Sequence, residues 1–566
     1  IIVLQLGSSA VFQKIDNLQN IIKIFGSFFL IYMAYKISFI KDNSKKTDPK
    51  PITFVNTFFF QFINPKGIII AFLLLSAVAA MAQGIDSDGD GTPDVTDYYP
   101  FNPFKTTDDW GQNVETYPEV FVAPDISELN KNGLEADLNL AVKYFGKYEW
   151  EWWAVGQGID AMLELASAWC DRRIERGQLW YYEQFQSDLD RLKSICLSHT
   201  AHPHASLHWK TDSSDSTFFT NDLSTFEGWM EQYRQVSVNS PSSSANAGMD
   251  RNGGYTATQA SWPFVFDPVT NPSDWNIKEY QNAVLVFHEY YHVVQAQHVS
   301  SKTEIVDETN NTVRPEYGPT AFSEGSANYI SEYTIRKLSK LGIFEGSVED
   351  FSMKNLMRSQ MESILSMLPN CPNFQIEKLN YGNSCDPYIF GMWASAYLTN
   401  KVNNINAFHE VLWPKINTLT YVGAFQDTFG LTYDQFNIEF NQFLALPIAE
   451  QLAIVPDMNF VAPEDITREK AVFSIDSLSI PSVMVDDKAY KLDLKLIENS
   501  ASGILFQVGP VESINMPEVP SAVYYTKVGV LDIPEVKVDS ESYSVSLELE
   551  SQADLNFKLV SATRLE

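Results

Sequence analysis

Within the segment KEYQNAVLVFHEYYHVVQAQHV, residues 278–299, His288, Glu289 and His292 fall at i, i+1 and i+4. Four residues of helix advance about 400° and about 6 Å, so both imidazoles leave one face and can share one metal ion. Two imidazole nitrogens suit Zn2+. Glu289 then leans beside the ion without ligating it, where it can take a proton from an activated water. Val284, Phe287, Tyr291 and Val294 make the adjoining apolar stripe, the side expected to face a core. The plainer reading is a pair of histidines on a helix surface.

A zinc site needs a third ligand, and two residues compete for it. His298 lies six residues after His292, the spacing HExxHxxGxxH used by metzincins. That family's glycine breaks the helix; here the position is Gln295, a fair helix former. In an unbroken helix His298 points about 80° away from His288. Glu324, in AFSEGSANYISEY, opens a second helical pattern and can be delivered separately. It is the expected ligand.

An HExxH followed at a distance by SEGxANY resembles the gluzincin metallopeptidases, the thermolysin-like clan. The resemblance implies that His288, His292 and Glu324 bind zinc and that Glu289 is the general base; Asn328, four residues after Glu324, faces the same way and is placed to hold a ligating histidine from behind. Tyr388, in DPYIFGMWASAYL, is similar to the family's Y-x-x-G helix, which implies a phenol donating to an oxyanion. Among 26 tyrosines, a core or surface role for Tyr388 is equally open. The segment GAFQDTFGLTYDQFNIEFNQFLALP is similar to the closing helices of such domains.

The elements around these residues read as one domain over residues 106–460, opening on the strand-like VETYPEVFVAPDI. GIDAMLELASAWCDRRIERG has a helical pattern, VNSPSSSANAGMDRNGG reads as a loop, and YTATQASWPFVF as a strand. Cys170 with Cys196 and Cys371 with Cys385 are the sequence-local pairings, out of three possible connectivities. His199, His202, His204 and His208 cluster around Pro203 in a polar stretch, which reads as a loop and less readily as a second metal site.

Residues 83–105 carry IDSDGDGTPDVTD. Asp86, Asp88, Asp90, Asp94 and Asp97 occupy positions 1, 3, 5, 9 and 12, with Gly91 at position 6. Short carboxylates on alternate residues converge on Ca2+, which takes six to eight oxygens, and glycine permits the sharp turn. The segment resembles one thrombospondin type 3 repeat without its cysteines. The alternative is a solvated acidic linker.

Further upstream the chain changes character. It does not begin with methionine, and Ile21–Ile40 has the length and apolarity of a membrane span. A lysine-bearing loop follows, then Asn64, Pro65 and Lys66. Over residues 1–66 this order is similar to a fragment of the lysine/threonine exporter family. Lys66, the run GIIIAFLLLSAVAA and Ala80-Met81-Ala82 then make a signal-peptide pattern over residues 67–82. A signal peptide behind membrane spans implies either a fusion or a join between two genes; the join is the preferred reading. Both place the remainder outside the cytoplasm, secreted, periplasmic or at the cell surface, with membrane contact only through residues 1–80.

Lys+Arg 40 against Asp+Glu 71 gives a net charge of −31, which disfavours nucleic-acid partners. Residues 461–566 hold an internal repeat. LSIPSVMVDDKAYKLDLKLIE from residue 478 matches LDIPEVKVDSESYSVSLELES from residue 531 at an offset of 53. Alternating polarity marks half-buried strands, expected to form a small antiparallel sandwich or two paired sheets. These repeats are candidates for binding a surface or another protein. The fold class expected is α+β: membrane helices, a mainly helical zincin-type domain with a small N-terminal sheet, then antiparallel β repeats. The function expected is a secreted zinc metalloendopeptidase acting on proteins or peptides. The alternatives are a non-enzymatic calcium-binding surface protein with a vestigial zinc site, and a membrane carrier if residues 1–66 define the product.

Overall fold

The segment WEWWAV places three tryptophans among six consecutive buried positions, a composition that only a strand covered on both faces tolerates. In the computed structural model it is the strand β2 (Trp150–Val155). The structure describes Thr92 and residues 118–148, 150–176, 234–235, 244–250, 255–261, 272–298, 304–307, 312–315, 318–344, 352–382, 384–461 and 465–565. All lie in the second of the two units into which the chain divides, Met81–Glu566. The expected membrane spans, signal segment and calcium loop fall outside the described residues, apart from Thr92. Among the described residues no helix is long and apolar enough to cross a membrane.

β2 pairs in parallel with β1 (Glu119–Val122) and with β4 (Tyr255–Ser261), and β4 pairs antiparallel with the edge strand β3 (Ser244–Asp250). β3 corrects the sequence reading, which made this polar stretch a loop. Its serine, alanines and glycine have little strand propensity; seven backbone pairings with β4 supply what propensity does not. The two-stranded hairpin β5 (Glu304–Asp307) and β6 (Thr312–Pro315) stands apart from this sheet.

Helices fill the rest of the domain. α1 (Glu128–Phe145) starts where the Ser127 hydroxyl accepts the Asn130 amide, and α2 (Ile159–Arg176) follows β2. α3 (Pro272–His298) is the histidine helix, buried along nearly all of residues 282–297. Phe145 of α1 packs edge-on against Phe287 and Tyr291, and the Tyr290 hydroxyl donates to the Gly146 carbonyl at the end of α1. α4 (Thr320–Lys340) carries Glu324, α5 (Met353–Met367) follows, and α6 (Pro387–Lys401) carries Tyr388. α6 starts at a residue suited to the purpose: the Asp386 carboxylate accepts the Tyr388 amide at 2.8 Å, and Pro387 needs no donor there. α7 (Trp413–Phe429), α8 (Tyr433–Leu444) and α9 (Ile448–Gln451) close the domain.

α4 and α6 cross at two glycines. A Cβ on Gly391 would lie 1.8 Å from the Ala321 carbonyl oxygen, and one on Gly325 would lie 2.0 Å from the Gly391 carbonyl carbon. The backbones touch because neither residue has a side chain.

Three turns further along α4, the fully buried Arg336 pairs with Glu332 one turn earlier. Its guanidinium lies 3.2 Å from the Tyr280 hydroxyl and over the rings of Tyr280 and Phe460. A charge buried in this way is held by its partners. Arg336→Met should cost about 3–5 kcal/mol by leaving Glu332 uncompensated, and adding Glu332→Leu should restore much of that. Denaturant unfolding of the single and double variants measures both.

The C-terminal strands make one closed barrel, not the sandwich or paired sheets the alternation suggested. β8 (Ser477–Val485), β9 (Lys488–Ser500), β10 (Gly503–Ile514), β14 (Asn556–Arg564), β13 (Glu541–Ser551) and β12 (Val530–Val538) pair in that order, all antiparallel. Two short strands, β7 (Ala471–Ser474) and β11 (Ala522–Tyr525), fill the gap between β12 and β8, each pairing with both. They complete a barrel of seven stave positions. Alternation reports which residues face inward, but it carries no information about which edges meet.

The repeat in the sequence is a two-fold in the barrel. Ile480/Val483 in β8 and Ile533/Val536 in β12 bracket matching bulges, each holding a proline, Pro481 or Pro534, that could not donate to a ladder. Val536 pairs with Ala471 as Val483 pairs with Ala522. Leu505 pairs with Lys558, its own counterpart at the offset of 53. The barrel docks on the helical domain through Met484, Val523, Tyr525 and Val530, which pack with Leu341 and Ile343 beyond α4. Arg468 caps the Gly342 carbonyl at 2.8 Å, and Lys143 of α1 reaches Asp532 at 2.6 Å.

Candidate metal centre

The unbroken helix α3 presents His288 and His292 on one face, and α4 brings Glu324 against them. The three ligand atoms form a nearly equilateral triangle. His288 Nε2 and His292 Nε2 are 3.0 Å apart, and Glu324 Oε2 lies 3.1 Å from His292 Nε2 and 3.3 Å from His288 Nε2. Among the described residues this is the group of histidine, cysteine and carboxylate side chains that could hold a metal ion. The fit is direct: a tetrahedral ion bonded at about 2.0–2.1 Å spaces its ligand atoms about 3.3–3.4 Å apart. Two imidazoles and one carboxylate, with a fourth position left over, make an open donor set.

Electrostatics favour a positive charge at the centre of the triangle. Burial works against charge on His292, but the Glu324 carboxylate, Glu289 and the Gln295 side chain outweigh it and push its pKa up to about 9. Burial alone would raise Glu324; His292 and His288 instead hold it well below the usual carboxylate range. Glu289 is 4% exposed, and its charge is felt at both His292 and Tyr388.

Tyr388 lies at the same site. Its ring is roughly parallel to His288 with centroids 6.4 Å apart; the side chain is 36% exposed, and partial burial followed by the Glu324 charge raises its pKa, so the phenol keeps its proton. Asn328, expected to hold a ligating histidine, is half-buried on α4 and makes no hydrogen bond to either histidine among the described residues. His292 Nδ1 is instead 2.8 Å from Gln295 Oε1. His298 stands apart from the ligands, against the Tyr148 ring, where burial and then Lys527 pull its pKa down to about 4.

Two residues at the site escaped the sequence reading. In the sequence Gln295 stands out only as the residue where a metzincin has glycine. Tyr381, whose hydroxyl donates to Glu324 Oε1, comes from a loop far along the chain. That loop is closed by the Cys371–Cys385 disulfide, one of the two expected pairings, and anchored where Thr320 Oγ1 donates to Asn380 Oδ1 at 2.9 Å. No motif marks Tyr381; the cysteine spacing was the available signal. The histidine cluster at residues 199–208, the partner Cys196 and the calcium aspartates lie outside the described residues. No family model matches this chain, and neither a curated protein nor a solved structure does.

Proposed function

We propose that the protein is an exported zinc-dependent endopeptidase that hydrolyses peptide bonds in protein or peptide substrates. The observation that carries the proposal is the triangle of His288, His292 and Glu324, with Glu289 buried on the helix of the two histidines. A zinc ion held there supplies Lewis acidity and an open position for water or a carbonyl oxygen. Glu289 then takes a proton from the attacking water and returns it to the leaving amine. Tyr388, kept protonated, donates to the oxyanion that develops on the carbonyl. The Cys371–Cys385 disulfide fits an oxidising compartment, as the signal-peptide pattern does.

The proposal is tested by zinc analysis together with digestion of casein by residues 83–566. Glu289→Gln should keep its zinc and lose about 10²–10⁴-fold in turnover, the contribution of a general base. Zinc retained with no cleavage by the unaltered protein would favour the non-enzymatic reading.

A further inference from the structure

We infer that Gln295 is the positioning residue of the metal centre: one buried amide sets the proton of His292 and fastens the helix of Glu324 to α3. Gln295 is 1% exposed and follows His292 by three residues. Its Nε2 lies 3.0 Å from the Ser323 carbonyl oxygen and 3.2 Å from Ser326 Oγ. A carbonyl only accepts, so the group facing it must be the NH2, and the orientation of the amide follows from chemistry. Oε1 is thereby turned to His292 Nδ1 at 2.8 Å, and the Ser323 hydroxyl donates to it at 3.0 Å.

An amide oxygen cannot donate. Nδ1 must therefore carry the hydrogen, and in a neutral imidazole that leaves Nε2 with the bare lone pair. Nε2 is the atom 3.1 Å from Glu324 Oε2. The same amide binds Ser323 and Ser326, which flank Glu324 on α4 and are both buried. All three side chains are nearly closed to solvent, so a lost bond leaves a buried polar group unsatisfied. Two of the three ligands are thus set by one side chain, written in the sequence as HEYYHVVQ facing SEGS. Outer partners of this kind orient ligands and raise their basicity.

The inference rests on the metal centre and not on peptide hydrolysis. Its test is zinc affinity, read by competition with a chromophoric chelator for the unaltered protein, Gln295→Met and Gln295→Glu. Gln295→Met keeps the volume and loses the polar contacts, and its affinity should fall about 10- to 100-fold. Gln295→Glu keeps an acceptor on Nδ1 and should hold zinc better than the methionine variant, although it loses the donor to Ser323. A side chain that only fills space predicts the reverse order, with methionine harmless and the buried carboxylate damaging, and that order would overturn the inference.

The zinc-loaded unaltered protein gives a reading that needs no variant to fold. Long-range 15N–1H correlation should show His292 protonated at Nδ1 and ligating through Nε2; a proton on Nε2 would overturn the inference. If the unaltered protein takes up no zinc, the metal centre fails as well. If it takes up zinc but Gln295→Met binds equally tightly, this inference alone fails.

Discussion

Glu324→Ala should strip the protein of tightly bound zinc, while His298→Ala leaves metal content near normal. The carboxylate is one corner of the triangle, 3.1 and 3.3 Å from the two imidazole nitrogens, and its charge is what draws a cation between them. Removing a ligand should cost more than the roughly 10- to 100-fold lost with an outer partner. His298 faces Tyr148 on another side of α3, so its loss leaves the triangle intact. Metal content after exhaustive dialysis separates the two variants. Zinc retained in Glu324→Ala and lost in His298→Ala would reassign the third ligand.

The second large effect is at the crossing of α4 and α6. Gly391→Ala places a methyl 1.8 Å from the Ala321 carbonyl oxygen, a backbone atom with no rotamer to escape into. Overpacking ordinarily costs about 1–3 kcal/mol, and overlap of this depth belongs at or above the upper end. The helices can relieve it only by separating. Glu324 adjoins Gly325, and Tyr388 sits one turn before Gly391, so separation also moves a ligand and the phenol. Stability of the metal-free protein and zinc affinity should therefore fall together. An unfolding midpoint equal to that of the unaltered protein would refute the account.

These two glycines show what could be read in advance and what could not. The helical spacing of His288 and His292 is a local property, and α3 follows from it. Glu324 stood in a recognisable helical pattern. Both glycines stand in the segments that carry Glu324 and Tyr388, yet their purpose, backbone against backbone, needs the crossing to be seen. Tyr381 reaches Glu324 through a disulfide-closed loop, a long-range placement without a local signature. β3 was hidden because its pairing, not its composition, makes it a strand. The repeat offset exposed the strands of the barrel; closure depends on β7 and β11, each four residues long and below what alternation can mark.

The two-fold of the barrel is broken where the barrel meets the helices. Met484, Val523, Tyr525 and Val530 correspond by register to Lys537, Val472, Ser474 and Ser477, which are half-buried or exposed on the opposite side. A barrel turned by half a revolution would superpose its staves but offer a lysine and two serines to Leu341 and Ile343. Burying that ammonium without a partner would be strongly unfavourable. The repeat gives the barrel two equivalent ways to attach, and four side chains leave it one. Closure is thinnest on one side: β10 and β14 share only the pairings of Leu505, Phe506 and Gln507 with Lys558, Phe557 and Asn556, so residues 509–514 and 559–564 have no ladder partner across that seam, and an added strand would find backbone to pair with there.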